Sequence, residues 1–128
     1  MQHLSLVSVL VSDYDEAIAF YTDTLGFRLT EDTDLGDAKR WVVVTPPGAR
    51  ETGVLLALAD TPAQVERVGD QTGGRVFLFL TTDDLPGDHQ RMLAAGVRFL
   101  EEPRRETFGH VVVFEDLYGN RWDLIQPA

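Results

Sequence analysis

The chain reads as an α+β domain in which a strand-helix-strand-strand-strand unit is used twice. Three observations predict it. Leu10 to Asp13, followed by Gly26-Phe27-Arg28-Leu29, returns as Leu80 to Asp83, followed by Gly96-Val97-Arg98-Phe99, at a shift of 70 residues. Short apolar runs recur between turn-forming residues, which is the pattern of strands. Two longer segments, each opening on aspartate and closing on glycine, carry the apolar spacing of helices. Each small sheet gives one face to its helix and needs a partner for the other, so the two modules are expected to curve as a mixed sheet around a shared cavity.

Leu4 to Val11 alternates Val7, Val9 and Val11 with Leu6, Ser8 and Leu10, a strand apolar on both faces. Ser12 or Asp13 caps the first helix, with Asp15 and Glu16 in its positively polarised first turn and Tyr14, Ala17, Ile18, Tyr21 and Leu25 as its apolar stripe. Gly26 ends it. Phe27 to Glu31, Arg40 to Thr45 and Gly53 to Leu58 follow as strands, separated by an acidic turn over Asp32 to Asp37 and by Pro46-Pro47-Gly48. The first module spans about 1–59, and a linker of about 60–73, with one helical turn near Ala63 to Val68, leads to a second module of about 74–128 within a single domain, 1–128.

The second module opens with a strand over Arg75 to Thr81 and a helix over Asp84 to Ala95, with Pro86 in its first turn. Strands over Val97 to Glu101, His110 to Glu115 and Arg121 to Gln126 complete it, and Glu101-Glu102 and Arg104-Arg105-Glu106 read as a solvated loop. Asp116-Leu117-Tyr118-Gly119-Asn120 joins the last two strands as a hairpin turn. Alternation along the last strand places Trp122 and Leu124 on the core side and Arg121, Asp123 and Ile125 on the other.

Composition narrows the function classes. With 11 basic against 21 acidic residues, the net charge of −10 argues against a nucleic-acid surface, so no nucleic-acid partner is expected; it leaves room for a cationic ligand. No stretch approaches the roughly 20 apolar residues of a membrane span, and no signal core follows a basic flank, so no membrane partner and a cytoplasmic location are expected. The absence of cysteine removes thiolate chemistry and suits a reducing compartment.

The opening Val9-Leu10-Val11-Ser12-Asp13, Ala17-Ile18-Ala19-Phe20-Tyr21 and Leu25-Gly26-Phe27, together with Glu115-Asp116-Leu117-Tyr118-Gly119-Asn120-Arg121-Trp122-Asp123-Leu124-Ile125, resembles the vicinal oxygen chelate superfamily, the glyoxalase, bleomycin-resistance and extradiol dioxygenase group. The resemblance implies paired βαβββ modules around a cavity and a homodimer. It also implies four metal-ligand positions, and these fall here on Leu6, on Val76 or Phe77, on Leu56 or Leu58, and on Asp123. Only the last has a donor atom, whereas a catalytic divalent ion typically takes three protein ligands. No cofactor is therefore expected, with a displaced divalent metal as the alternative.

What remains is a pocket of apolar walls and few polar groups. Candidate ligand-binding residues are Leu6, Ser8, Trp41, Arg75, Phe77, Phe79, Arg121 and Asp123, with Ile125 as a further wall. For the aromatic residues plain core packing is the competing reading. For Asp123 it is a buried ion pair with Arg75 or Arg40. Asp123 and His110 are the catalytic candidates, His110 against a structural role at a strand end. Two functions stand: a metal-independent binder of a small molecule, similar to bleomycin-resistance proteins, and a glyoxalase-like lyase or isomerase, or a dioxygenase-like enzyme, using the same cavity.

Overall fold

The computed structural model describes residues 1–128 and divides into two compact units, Met1–Val68 and Gly69–Ala128. In the first, β1 (Leu6–Val11), β2 (Arg28–Gly36), β3 (Lys39–Thr45) and β4 (Gly53–Leu58) form one sheet in the order β1-β4-β3-β2, β1 running parallel to β4. The parallel pairing has Val9 level with Leu56 and Val11 with Leu58, so valines and leucines line the same face. Val9, Val11, Val42, Val44 and Leu56 are fully buried there with Ala17 and Tyr21. Helix α1 (Tyr14–Ala19) is capped by the Asp13 carboxylate, which accepts from the Glu16 N–H at 2.8 Å. It continues as a π-helical turn over Phe20–Thr24, where the Leu25 N–H reaches back to the Phe20 carbonyl.

The second unit repeats the topology. Strands β5 (Val76–Thr81), β9 (Arg121–Pro127), β8 (Gly109–Glu115) and β6 (Arg98–Phe99) run in the order β5-β9-β8-β6, with β5 parallel to β9, and β7 (Arg104–Glu106) also pairs with β8. Helix α3 (Leu85–Ala94) buries Leu85 and Met92. Phe99, Phe114 and Trp122 pack ring to ring at 5.9 and 5.7 Å, and His89 stands edge-on to Phe99 at 4.5 Å, so that histidine is part of the packing. The short helix α2 (Pro62–Arg67), with Thr61 as its cap, belongs to the first unit.

Three features differ from the sequence reading. Asp32 to Gly36 is strand: β2 and β3 meet in a tight turn at Asp37 and Ala38, both at positive φ (53° and 63°). The edge strand is exposed along its whole length and carries no alternation to reveal it. The π-helical turn interrupts the regular first helix. Third, the expected strand from Val97 to Glu101 and the expected loop beyond it are one interrupted edge strand: β6 lies against Glu115 and Phe114, β7 against Val111, His110 and Gly109. Pro103, which has no N–H to donate, lies in the interruption. The Glu101 carboxylate fills the gap by accepting the Val113 N–H at 3.0 Å.

Two stability predictions follow from the backbone. A two-residue turn with both residues left-handed favours glycine at its second position, and a left-handed alanine costs roughly 1–2 kcal/mol, partly offset by the extra freedom glycine has when unfolded. Ala38→Gly should therefore raise the unfolding free energy by about 0.5–1 kcal/mol in urea titrations. Gly69, at φ +80°, lies so close to the hairpin turn that a Cβ would stand 1.9 Å from the Tyr118 carbonyl oxygen. Gly69→Ala should lower stability by about 2 kcal/mol or more in the same assay.

Candidate functional site

On the first sheet, the face away from α1 is built from Leu6, Val43, Thr45 and Gly53, floored where Gly53 leaves room for Val43 and Thr45. These residues, with Arg28, Thr30 and Glu31 of β2, line an open depression of about 420 Å³. A bulge at Thr30 lets its hydroxyl approach the Val43 carbonyl at 3.2 Å and the Thr45 hydroxyl at 3.0 Å. Leu6 lines the depression. Trp41 does not, although it stands on the same face: it is 37% exposed and its indole N–H donates to Glu31 at 3.3 Å. Ser8 is exposed.

On the second sheet, β9 is flanked by β5 and β8, with Asp123 level with Phe79 on one side and Val113 on the other. Trp122 and Leu124 face α3 and the core, so Asp123 lies on the opposite face. The same face carries Ile125, Val111 and Arg104 in the next row and Arg121 and Glu115 in the row before. Phe79 is 65% exposed, a large aromatic side chain left without cover beside a buried acid. Phe77 sits in a bulge between Val76 and Leu78, half-buried, and Arg75 precedes the strand at the surface.

Asp123 is only 9% exposed, and its Oδ1 is buried with no hydrogen-bond partner. Neither Arg75 nor Arg40 pairs with it: Arg40 is held by Asp32 and Asp15 at 2.7 and 2.8 Å under a cation–π contact with Tyr14, and the Arg121 guanidinium donates to the Gly74 carbonyl at 3.1 Å. The ion-pair reading of Asp123 is thereby replaced by an uncompensated acid. Burial pushes its carboxyl above the usual range; Arg104 draws it back down and Glu101 adds to the rise. Arg104 is shared with two other acids, its Nε bonded to Glu101 at 3.1 Å and its Nη1 to Glu106 at 2.6 Å. Glu101 and Arg104 were legible in the sequence only as a charged run. What brings them beside Asp123 is the interrupted edge strand.

His110 is level with Gln126 and Arg105, one residue out of phase with Val111, and so faces away from Asp123. It lines a separate depression of about 340 Å³ with Asp84, Pro86, Arg105 and Gln126, whose side chain accepts the Leu85 N–H at 2.9 Å. Asp123 and His110 therefore do not form an acid–base pair on one substrate atom, and the reading of His110 as a group facing the same pocket is corrected by the pleat. Among the ligand positions that the resemblance implies, Leu6, Val76 or Phe77, and Leu56 or Leu58 offer no donor. No group of three or more His, Asp or Glu side chains is gathered to hold a metal ion. One carboxylate does not fit a divalent cation.

A family model for the Glyoxalase/Bleomycin resistance protein/Dioxygenase superfamily matches residues 2–124. The chain belongs to that superfamily. It is 51% identical over 126 residues to a protein of Shewanella frigidimarina (strain NCIMB 400), covering 98% of this chain and 93% of that one. Among solved structures it is similar to UcmS2, with a TM-score of 0.86 at 30% identity over 98% of each chain. It is also similar to TnmS3, an antibiotic binding protein from Streptomyces sp. CB03234, with a TM-score of 0.81 at 35% identity over 100% of this chain and 98% of that one. No helix is long and apolar enough to cross a membrane.

The unpaired acid predicts a pH effect with a defined sign. A carboxyl whose folded pKa lies above its unfolded value binds more protons when folded, so stability falls as pH rises from the ordinary carboxylate range through the raised value. Asp123→Asn removes that penalty. The variant should be more stable than the parent near neutral pH, by on the order of 1 kcal/mol, with the difference vanishing in acid, as read from urea titrations across pH.

Proposed function

We propose that the protein is a metal-independent binder of a small organic molecule, working as a cytoplasmic homodimer and using the face of the second sheet that carries Asp123. The observation that carries this reading is the buried Asp123 oxygen without a partner beside the exposed ring of Phe79. An unsatisfied buried acceptor costs roughly 1–3 kcal/mol, and a ligand that brings a donor to it recovers that cost, whereas a purely structural role gives no reason to keep the acid there. An aromatic ring and apolar side chains beside a few polar groups are the composition of ligand sites. Likeness to an antibiotic binding protein supports the same reading, and the lack of donors at the other ligand positions supports independence from metal.

The homodimer is supported by large apolar side chains left at the surface, Leu29, Leu35 and Trp41 in the first unit and Leu93 and Phe108 in the second. Sedimentation equilibrium at micromolar concentration should give twice the 14.3 kDa chain mass; a monomer alone would refute the dimer.

A thermal-shift screen of metal-stripped protein against cationic glycopeptide and aromatic drugs, glutathione adducts and catechols tests the function. A ligand at a hundred times its Kd stabilises by about 2.7 kcal/mol, a readily visible shift. The expected result is a hit that survives chelation, is weakened by Asp123→Asn, and is recovered unchanged. Turnover of a thiol adduct or catechol that requires added divalent metal would instead establish an enzyme.

A further inference from the structure

We propose that the ligand is an aromatic cation, its protonated amine seated on the Asp123 carboxyl and its ring laid on Phe79. This rests on the binding reading above and adds the chemical class of the ligand. Phe79 and Asp123 are register partners on neighbouring parallel strands, about 4.8 Å apart, and project from the same face. An ammonium one methylene from an aromatic ring spans that spacing, reaching the carboxyl while its ring covers the phenyl group.

Charge decides the sign of the ligand. The charged groups on this face are Arg98, Arg104, Glu106, Glu115 and Arg121 from the strands and Glu101 from the edge interruption. Arg104 is bonded to both Glu101 and Glu106, Glu115 is paired with Arg98 at 3.2 Å, and Arg121 is turned to the Gly74 carbonyl. Asp123, Glu101 and Glu106 thus share one guanidinium, and ionised Asp123 has no counter-ion of its own. An anion meets excess negative charge. A neutral donor satisfies the oxygen but leaves the charge, while a cation does both and gains from the nearby aromatic face.

Because the cation favours ionised Asp123, binding releases a proton, and affinity rises with pH through the raised carboxyl range. The test is an NMR titration of the full chain with three isosteric probes, naphthylmethylammonium, naphthylmethanol and naphthoate, followed through the amides of Phe79, Val113 and Asp123. The expected result is that the ammonium binds at least about tenfold tighter than the alcohol, weakens on acidification, and loses its advantage in Asp123→Asn. Phe79→Ala, at an exposed site that leaves the core intact, should weaken all three. Equal binding of ammonium and alcohol at these amides, a preference for naphthoate, or an ammonium preference that survives Asp123→Asn would overturn the cation while leaving a small-molecule site in place. Failure of all three probes to perturb these amides would overturn the assignment together with the binding reading on which it rests.

Discussion

The second sheet depends on one buried carboxylate, Asp116, in the turn between β8 and β9. Its Oδ1 accepts the N–H groups of Tyr118, Gly119 and Asn120 at 3.0 to 3.1 Å, and its Oδ2 accepts from the Asn120 side chain at 3.0 Å and the Trp122 indole at 3.5 Å. A carboxylate with that many donors is satisfied in place, and it fixes where the hairpin reverses. The reversal sets the register of β8 on β9, and register decides which side chains face the core. A slip of one residue would turn Arg121 and Asp123 toward the core and Trp122 and Leu124 away from it. Asn120 extends the same anchor to the segment after the unit boundary, since its side-chain oxygen accepts the Gln71 N–H at 3.5 Å, and Gly69 lies against Tyr118.

Asp116 and Asp123 are both nearly buried and stand in the same hairpin, yet their surroundings are opposite. The first is ringed by donors, as structural carboxylates are; the second has an orphaned oxygen. The contrast separates an acid retained for folding from one retained for something outside the chain. The edge of the sheet contributes to the difference. Where β6 breaks off, Glu101 substitutes its carboxylate for a missing backbone carbonyl, and in doing so it ties up Arg104, the cation best placed to neutralise Asp123.

The repeated unit and the main helix of each module were legible because two-residue and helical periodicities, glycine stops and aspartate caps are properties of local sequence; the parallel pairing of β1 with β4 and of β5 with β9 joins strands distant in sequence and is not such a property. The register around Asp116 was legible for the same reason, since alternation from the turn places Asp123 away from Trp122. It also places His110 on the opposite face, a conclusion that becomes available once the turn is fixed at Asp116 to Asn120. What local pattern cannot carry is substitution of a side chain for backbone: nothing in Glu101 distinguishes it from Glu102 until the Val113 N–H is known to lack a carbonyl. The acidic run Asp32 to Asp37 misleads for a related reason. Polar residues on both faces match a loop as well as an edge strand held from one side only.

The edge formed by β2 has a colloidal consequence. Nine residues of extended backbone are exposed at the end of the first sheet, the kind of surface on which another chain can add a strand. Glu31, Asp32 and Asp34 stand along it, and their mutual repulsion between copies guards the edge as long as they stay ionised. Asp32, hydrogen-bonded by Arg40, is held below the usual carboxylate range. Near the isoelectric point of about 4.5 the molecule loses its overall repulsion. Acidified solutions should therefore favour edge-to-edge strand addition while both sheets remain folded, so that turbidity in mild acid reports association of native chains.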